Sequence, residues 1–282
     1  MSAAPAGSRG PARPELDIRR YLDGVGPLLA GNANVIMQLS WPAVGHGVVE
    51  SKVESGQVTR HPFKRGRTTL TYISVALLGN DADRAAYRKA VNTSHVQVRS
   101  DPDSVVAYNA FDPELQLWVA ACLYYGTRDI VAALHGELEP EVADALYQHA
   151  AHFGTTLQVR PEQWPADRAA FDAYWDASLA LVDIDETVAA YLLDLLDSRQ
   201  FPLVIRLPSW RLVRFMNVGF LPPFFREQLG LEWTAANERW FRSLLRALGG
   251  VYRHSPRITA TFPFNFYLWD VRRRVRQGRP LV

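Results

Sequence analysis

One histidine in this sequence has the surroundings expected of a metal ligand. Tyr87, Val91, His95 and Val98 are spaced by four, four and three residues, so on a helix they share one apolar stripe. A neutral imidazole in a water-poor slot can bind a haem iron, and apolar walls are needed to hold the porphyrin. The alternative is a hydrogen-bonded histidine of an ordinary core, because a histidine on an apolar stripe more often has that role.

A cationic run rich in hydroxyl groups precedes this stripe. It extends from His61 to Thr71 with the sequence HPFKRGRTTLT, and within it Arg65 and Thr69 are one helical turn apart. A guanidinium and a hydroxyl at that spacing point to the same place, where they can hydrogen-bond oxygen or a haem propionate. The alternative is a charged helix start that faces solvent.

A carboxylate and a second histidine lie further upstream. Glu50 follows His46 by four residues, so the two side chains share a helix face. Glu50 is the best carboxylate candidate for a base near the pocket, and His46 and His61 are candidates for a second iron ligand. The alternative for Glu50 is an exposed acid on a helix surface.

Three aromatic residues and the cysteine flank or lie on the predicted helix Asp112–His135. Tyr108, Phe111 and Trp118 can line a haem or substrate cavity, although aromatics at helical spacing are more often plain core. Cys122 lies on the same apolar helix, where a thiolate could ligate a metal. A buried, inert thiol is the expected alternative.

A different metal site is suggested by His149 and His152. They are three residues apart and can share a metal ion, which would make the protein a helical hydrolase. The segment HAAH lacks the glutamate of the HExxH pattern, so we rank this function below haem binding.

Composition and charge exclude several classes of protein. Hydrophobic residues make up 48% of the 282 residues and charged residues 21%, as in an ordinary globular protein. Lysine and arginine total 31 against 29 acidic residues, and the net charge of +2 argues against tight nucleic-acid binding. The single cysteine excludes an internal disulfide, a CxxC metal knuckle and the CxxCH motif of covalently bound haem, and it favours the cytoplasm.

We expect one domain over residues 16–282, preceded by a disordered tail over residues 1–15. The opening segment is small, rich in Pro and Gly, and lacks the apolar stretch of a signal peptide or membrane anchor. No apolar stretch of the sequence reaches the roughly 18 residues that a membrane span requires. A length of 282 residues is compatible with one large helical core.

The spacing of apolar residues predicts an all-α fold. From Leu28 onward they recur mostly at three- and four-residue steps, without alternating strands joined by tight turns. No repeat of roughly 20 to 50 residues is visible, so we expect an irregular single-domain helical bundle and not a solenoid. The predicted helices are Val35–Lys52, Thr68–Leu78, Asp81–Val98, Asp112–His135, Glu141–Phe153, Ala166–Ala180, Asp185–Leu196, Arg211–Gln228 and Ala235–Leu248.

Several sequence blocks, taken in their order, resemble one known family. They are QLSWPAVGHG from Gln38, PFKRGRTTLTYISVALLG from Pro62, HVQV from His95, YNAFDPELQLW from Tyr108, LPPFFR from Leu221 and GLEW from Gly230. Their order, and the sixteen-residue step from Gly79 to His95, make the set specific. The chain is similar, from about Val35 to Arg257, to the DUF2236 family, which includes the MpaB-type proteins and the catalytic domain of latex-clearing rubber oxygenases.

The resemblance implies an all-helical fold with a globin-like core and a non-covalently bound haem b. His95, which opens the H-x-x-V block, would be the proximal iron ligand. The distal Arg-x-x-x-Thr pair falls on Arg65 and Thr69, because Thr69 stands ten residues before the glycine that ends its block, as in the family pattern. Arg67 and Thr71 have the same internal spacing and are the second choice.

The sequence departs from the family pattern at two places. Rubber-cleaving members have a lysine just before the distal threonine, whereas this chain has Thr68, which argues against polyisoprene cleavage. Many members read His-Pro after the first glutamine, where this chain has Trp41 and Pro42. The resemblance therefore implies a reaction class and leaves the substrate and the electron donor open.

These features predict a haem b-dependent oxygenase or oxidoreductase that acts with oxygen on an apolar or lipid-like small molecule. The alternative is a haem-binding sensor or carrier in which a second protein ligand occupies the sixth coordination position of the iron. The C-terminal region also allows a weak contact with an anionic membrane surface, against a solvated, packed tail. Its basic residues are Arg272, Arg273, Arg274, Arg276 and Arg279, and its aromatic residues are Phe262, Phe264, Phe266, Tyr267 and Trp269.

Overall fold

Helices form nearly all of the regular structure of the chain, as the apolar spacing predicts. The computed structural model describes residues 17–51, 61–206 and 210–282. Within those residues there is no β-strand, and the only β pairing is a single bridge between Arg99 and Asn109. The all-α fold class is therefore confirmed. The expected disordered tail over residues 1–15 lies outside the described residues.

The bounds of the helices set the position of every candidate residue. In the first half they are α1 (Gly26–Leu39), α2 (Pro42–Val49), α3 (Pro62–Leu78), α4 (Asp81–His95), α5 (Pro113–His135), α6 (Pro140–Ala150) and α7 (His152–Thr155). In the second half they are α8 (Arg168–Leu179), α9 (Glu186–Leu196), α10 (Leu203–Arg206), α11 (Trp210–Phe220), α12 (Pro223–Gln228), α13 (Ala235–His254), α14 (Arg257–Ala260) and α15 (Phe264–Arg276). Short 3-10 helices cover Ile18–Tyr21 and Pro161–Gln163. Among the described residues, no helix has the length and apolar character needed to cross a membrane.

Prolines divide two segments that the apolar spacing predicts as single helices. The predicted helix Val35–Lys52 is wrong, because Pro42 begins α2 and Trp41 before it is extended, with φ −78° and ψ 127°. The predicted helix Arg211–Gln228 is wrong for the same reason. It breaks between α11 and α12, where Pro222 is extended with ψ 149° and another proline begins α12.

The two helices that carry the main candidates differ from their predicted bounds at one end each. α3 begins at Pro62, six residues before the predicted start at Thr68, because proline fits the first helical position. The basic run and Arg65 therefore lie on the helix itself. α4 ends at His95, three residues before the predicted end at Val98. The chain then turns, and the Val98 carbonyl accepts a hydrogen bond from the N–H of Ala110 over 2.9 Å.

The largest hydrophobic cluster surrounds α5. Ala120, Ala121 and Cys122 are fully buried in the middle of this helix. α1, α7 and α13 pack against it. At the crossing with α13, a Cβ on Gly249 would lie 2.6 Å from the carbonyl oxygen of Leu134, so only glycine allows this close approach. α5 is thus the central helix of the fold.

The C-terminal helix α15, which the sequence pattern does not predict, packs against α3 and α4. Its Leu268 and Val271 form a second, smaller apolar cluster with Tyr87. The guanidinium of Arg272 pairs with the carboxylate of Asp83 on α4 over 2.8 Å. α15 therefore supports the two helices that carry Arg65 and His95.

Local hydrogen bonds position α4 beside α3. Asn80 caps α4, since its Oδ1 accepts from the N–H of Asp83 over 2.9 Å and its own N–H donates to the Asp83 carboxylate. One turn later, the Tyr87 hydroxyl donates to the carbonyl of Thr68 on α3 over 2.9 Å. These contacts hold the two helices together on the way to His95.

Candidate functional site

Four of the candidate residues line one internal cavity of about 300 Å³, which we call the His95 cavity. They are His95, Arg65, Thr69 and Tyr108. The cavity lies between α2, α3, α4 and the first half of α5. Much of its wall is apolar or aromatic and includes Leu39, Val44, Tyr72, Tyr87, Val91 and Phe153. A cavity of this size and lining suits a small organic ligand.

The imidazole of His95 is neutral and has no hydrogen-bond partner among the described residues. Burial, and after it the positive charge of Arg65, lowers the pKa of His95 to about 4. Among the described residues, neither ring nitrogen has a hydrogen bond, and Nδ1 is fully buried. The ring meets Phe111 edge to face, with centroids 6.1 Å apart. A hydrogen-bonded core histidine does not look like this, whereas a neutral imidazole with a free nitrogen is the form that binds a metal.

Among the described residues, the hydroxyl of Thr69 has no hydrogen-bond partner, unlike those of its neighbours on α3. Thr68 donates to the carbonyl of Arg65 over 2.9 Å, and Thr71 donates to the carbonyl of Arg67 over 2.7 Å. Within the described residues, no such bond involves the hydroxyl of Thr69, which lines the His95 cavity. Thr69 can therefore bind a ligand without losing a bond inside the protein.

The second-choice pair has a different environment. Neither Arg67 nor Thr71 lines the His95 cavity, and Thr71 is only 5% exposed. The structure thus brings Arg65 and Thr69 to the same cavity as His95, and it leaves Arg67 and Thr71 outside.

A second cavity, of about 450 Å³, shares Arg65 and Thr69 with the His95 cavity. We call it the α1 cavity, because α1 lines it together with α3, α5 and the segment from α9 to α11. Six residues line both cavities: Gln38, Leu39, Val48, Arg65, Thr69 and Leu123. Burial raises the pKa of Tyr191 in the α1 cavity and the charge of Arg65 opposes that rise, while the same charge acts on His95. Arg65 therefore lies at the boundary between the cavities.

Glu50 belongs to a cluster next to the His95 cavity and does not line it. Its Oε1 lies 2.7 Å from Nδ1 of His46, and its Oε2 accepts a hydrogen bond from the hydroxyl of Tyr108 over 3.4 Å. The other ring nitrogen of His46, Nε2, lies 2.6 Å from Oδ2 of Asp185. Asp185 also caps α9, since its Oδ1 accepts from the N–H of Val188. The cluster therefore joins α2 to the start of α9.

Charge pairing controls the protonation of this cluster. Burial disfavours the charged form of His46, but the hydrogen bonds to Glu50 and Asp185 outweigh it and raise the pKa of His46. Burial likewise opposes ionisation of Glu50, and the hydrogen bond to His46 outweighs it, so the pKa of Glu50 is lowered. Glu50 is thus ionised and already paired, and a role as a base remains a prediction.

The two histidines considered as second iron ligands do not line the His95 cavity. Both ring nitrogens of His46 are engaged by carboxylates. His61 is exposed at the start of α3. Neither position favours coordination of the iron by a second protein ligand.

Trp118 lies in the core and lines neither cavity. Its fully buried ring stacks on Trp41, with centroids 4.9 Å apart and planes 4° apart, and on Trp175 at 5.2 Å. Its Nε1–H donates to the carbonyl of Gln38 over 3.0 Å. The structure therefore places this ring away from the site, whereas Tyr108 lines the cavity.

Cys122 is a free, fully buried thiol that lines neither cavity. Burial raises the pKa of this thiol well above its ordinary value. These surroundings are those of an inert core thiol and not of a thiolate ligand.

The structure does not place His149 and His152 on one helix. The predicted helix Glu141–Phe153 is divided, because α6 ends at Ala150 and His152 begins α7. Nε2 of His149 is 2.6 Å from the carbonyl oxygen of Leu77 and so is already bonded. The described residues contain no group of three or more His, Cys, Asp or Glu side chains suited to a metal ion.

Three of the C-terminal arginines are ion-paired in the structure. Arg272 pairs with Asp83, and Arg273 and Arg274 both pair with Asp270. The neighbouring aromatics divide into a buried Phe264 and the exposed Phe262, Phe266 and Trp269. Contact with a membrane surface stays a prediction.

Three further residues line the His95 cavity but are not among the candidates from the sequence: Lys64, Tyr72 and Val282. Tyr72 stands three residues after Thr69, so helical spacing predicts that the two side chains share one face of α3. Val282 comes from the segment after α15, and nothing in the local sequence indicates that this segment returns to the cavity.

In the part of the chain that the structure describes, fold and site define an all-helical protein with two adjoining cavities, one of which is lined by a neutral histidine without a hydrogen-bond partner. Comparison with known proteins identifies its family. The family model described as "ER-bound oxygenase mpaB/B'/Rubber oxygenase, catalytic domain" matches residues 18–250. The chain therefore belongs to this oxygenase family, which confirms the resemblance seen in the sequence blocks. Residues after 250, including α15, lie outside the matched range.

Two mycobacterial relatives are similar over most of the chain. A protein of Mycobacterium bovis and one of Mycobacterium tuberculosis, both described as uncharacterized, are each 49% identical over 255 residues. The alignment covers 90% of this chain and 100% of each relative. No solved structure matches the chain.

Proposed function

We propose that this protein is a haem b-dependent oxygenase acting on an apolar or lipid-like small molecule, with His95 as the iron ligand. The observation that carries the proposal is the neutral, unpaired imidazole of His95 in a largely apolar cavity beside Arg65 and Thr69. Membership of an oxygenase family supports the reaction class.

The side chains of the His95 cavity include the kinds of group that hold a haem. A neutral imidazole is a common axial ligand of haem iron, and His95 supplies it. Tyr87 and Val91 offer apolar wall to a porphyrin ring, and the cations Lys64 and Arg65 can pair with its propionates.

A bound haem supplies redox-active iron at which oxygen is activated. Arg65 and Thr69 contribute hydrogen-bond donors held by α3, and these donors stabilise negative charge that develops beside them. The apolar wall excludes water, which strengthens each of these hydrogen bonds. Tyr108 lines the same cavity and connects it, through Glu50, to the His46 cluster.

The proposal includes a cytoplasmic location and oxygen as co-substrate. Cys122 is a free thiol, which is compatible with a reducing compartment.

The test is the absorption spectrum of freshly purified protein, oxidised and reduced, together with His95→Ala. We expect a Soret band in the wild type and, in the variant, loss of most of the haem with an unchanged helical circular-dichroism spectrum, because the iron ligand is removed from a core that is mostly apolar packing. His152→Ala is the matched control, because burial also lowers the pKa of His152 to about 4 but this histidine lies outside the His95 cavity. Full haem content in His95→Ala would assign the iron to another residue.

Carbon monoxide separates the oxygenase from a sensor or carrier. We expect the reduced spectrum to change when carbon monoxide is added, because neither His46 nor His61 lines the cavity. A six-coordinate low-spin spectrum that carbon monoxide leaves unchanged would contradict an oxygenase. Stoichiometric zinc without iron would instead favour the hydrolase.

A further inference from the structure

The α1 cavity has no assigned role in the haem site, although it is the larger cavity, at about 450 Å³ against about 300 Å³. Much of its wall is aliphatic and includes Leu22, Leu70, Ile73, Ile130, Val131 and Leu195. It reaches Arg65 and Thr69 at the wall that the two cavities share. A ligand in the α1 cavity therefore lies beside the two donors that we assign to the reaction.

Most polar side chains of the α1 cavity already have partners within the protein. Asn32 donates to the carbonyl of Leu195 over 3.2 Å, and Asn34 donates to the carbonyl of Cys122 over 2.6 Å. Asn217 accepts from the N–H of Ala33 over 3.0 Å. Asp23 is paired with both His135 and Arg257. These groups need no ligand.

Among the described residues, a buried and unpaired polar atom of the α1 cavity lies in the turn that follows α9. Ser198 and Gln200 both line the cavity there. Oε1 of Gln200 is buried without a hydrogen-bond partner. Ser198 beside it is only 6% exposed. A buried acceptor without a donor is costly, so a ligand that supplies the donor would gain affinity.

The backbone of this turn supports a functional role. Ser198 has a φ of 56°, the left-handed region that residues other than glycine rarely adopt. Such conformations persist where the surrounding structure holds them, and they cluster at ligand sites. The N–H of Phe201 donates to the carbonyl of Ser198 over 3.1 Å, which closes the turn around Gln200.

We propose that the α1 cavity holds the substrate, and that this substrate is an apolar molecule with one hydroxyl group, which donates a hydrogen bond to Oε1 of Gln200. The assignment rests on the proposed function, because it sets the apolar part of the molecule against Arg65 and Thr69. A hydrocarbon would leave Oε1 of Gln200 unpaired. A carboxylate has no proton to donate to it and would instead call for the guanidinium of Arg206, which also lines the cavity.

Isothermal titration of the purified protein with three small probes tests this assignment. The probes are 1-octanol, the isosteric ether 1-methoxyheptane, which lacks a donor, and octanoate. We expect 1-octanol to bind about tenfold more tightly than the ether, a difference of about 1.4 kcal/mol. Gln200→Leu should remove this preference, and the exposed Gln228→Leu on α12 should retain it. Equal binding of alcohol and ether to the wild type, or tighter binding of octanoate, would overturn the assignment.

A filling variant tests the place of binding. Gly31 lies on α1 and lines the α1 cavity, and a Cβ added there meets no atom within 4 Å. Leucine also favours a helix more than glycine does, so Gly31→Leu should fold and should weaken both 1-octanol and the ether by about tenfold or more. Unchanged binding of 1-octanol to this variant would place the ligand elsewhere.

The same titration on His95→Ala separates this inference from the proposed function. Binding of 1-octanol that depends on Gln200 and persists in His95→Ala supports the α1 cavity whether or not haem is bound. A wild type that shows a Soret band but no preference for the alcohol would overturn the substrate assignment alone.

Discussion

The charge of Arg65 on α3 acts directly on the imidazole of His95 on α4. Burial lowers the pKa of His95 most, and the guanidinium of Arg65 lowers it further, to about 4. The two residues are thirty positions apart in sequence and line one cavity. A histidine without a hydrogen bond is costly to bury, and a ligand bound to the ring nitrogen, as we propose, would offset that cost.

The contribution of His95 to the stability of the haem-free protein should fall when the pH drops from 6.5 towards 4. Between the ordinary pKa of 6.5 and the folded pKa of about 4, the unfolded chain binds a proton at His95 that the folded chain does not. The free energy of unfolding therefore falls with the pH in this window, by on the order of 3 kcal/mol for His95. Urea midpoints of the wild type and His95→Gln at pH 7 and pH 4.5 measure the difference.

His95→Gln should lose less stability on acidification than the wild type. Part of the fall should remain, since burial also lowers the pKa of His152 to about 4. His254→Gln, at an exposed position on α13, is the control and should behave as the wild type. An equal loss in His95→Gln and the wild type would mean that His95 is not buried as the structure shows.

Substitution of Thr69 should reduce turnover while leaving haem content nearly intact, and substitution of Arg65 should reduce turnover with only a modest loss of haem from the lost propionate contact. Neither residue is the proposed iron ligand, and both line the His95 cavity. Loss of a donor that stabilises developing charge typically costs about 3 kcal/mol, so Arg65→Ala and Thr69→Ala should each lower turnover roughly a hundredfold. Two quantities are measured: the haem content, from the absorbance, and the turnover of a substrate that binds to the protein.

Arg67→Ala and Thr71→Ala are the matched controls, with the same spacing on α3 but outside the cavity. Thr71→Ala should lower the thermal midpoint, because Thr71 is buried, and both variants should keep their turnover. If substitution of Arg65 and Thr69 leaves turnover unchanged while Arg67→Ala and Thr71→Ala lower it, the distal pair is Arg67 and Thr71. Loss of haem in Arg65→Ala would move Arg65 from the reaction to cofactor binding.

Trp118→Phe should lower stability and leave the haem spectrum unchanged. The ring stacks between Trp41 and Trp175 in the core, and its N–H bonds the carbonyl of Gln38. Phenylalanine keeps part of the stacking but loses the hydrogen bond and some volume, so the cost should be about 1–3 kcal/mol. A shifted Soret band in this variant would instead place Trp118 at the cofactor, as the sequence pattern suggested.

Helical spacing anticipated much of the site but not its boundaries. His95, Arg65 and Thr69 lie at three- and four-residue steps on helices, and such steps decide which side chains share a face. Apolar spacing, however, continues across Pro42, so it predicts one helix where the structure has α1 and α2. Proline at a first helical position is the sequence signal that marks the start of α2.

Two other features depend on tertiary contacts that no local pattern contains. α15 is rich in arginine, which resembles a solvated tail, yet its Leu268 and Val271 are buried against α3 and α4. The unpaired Oε1 of Gln200 exists only because the turn after α9 closes against the α1 cavity. Glutamine in a polar turn gives no sign of this in the sequence.

The last prediction concerns the cluster of His46, Glu50 and Asp185, which should stabilise the fold most between about pH 4.5 and 6.5. The raised pKa of His46 means that its contribution is complete below the ordinary value of 6.5 and is lost as the pH rises through the folded value. The lowered pKa of Glu50, ordinarily 4.5, and that of Asp185, ordinarily 3.8, mean that their contributions are complete above those values and are lost as the pH falls. His46→Gln should therefore lower the thermal midpoint more at pH 5.5 than at pH 8.5, whereas substitution of an uncharged core residue would lower it equally at both.

Glu50→Gln should show the same pH dependence and leave turnover nearly unchanged, because the carboxylate is bound to His46 and does not line the His95 cavity. If turnover of Glu50→Gln falls by a hundredfold while its thermal midpoint stays near the wild type, Glu50 acts as the base that the sequence suggested, and its bond to His46 opens during the reaction.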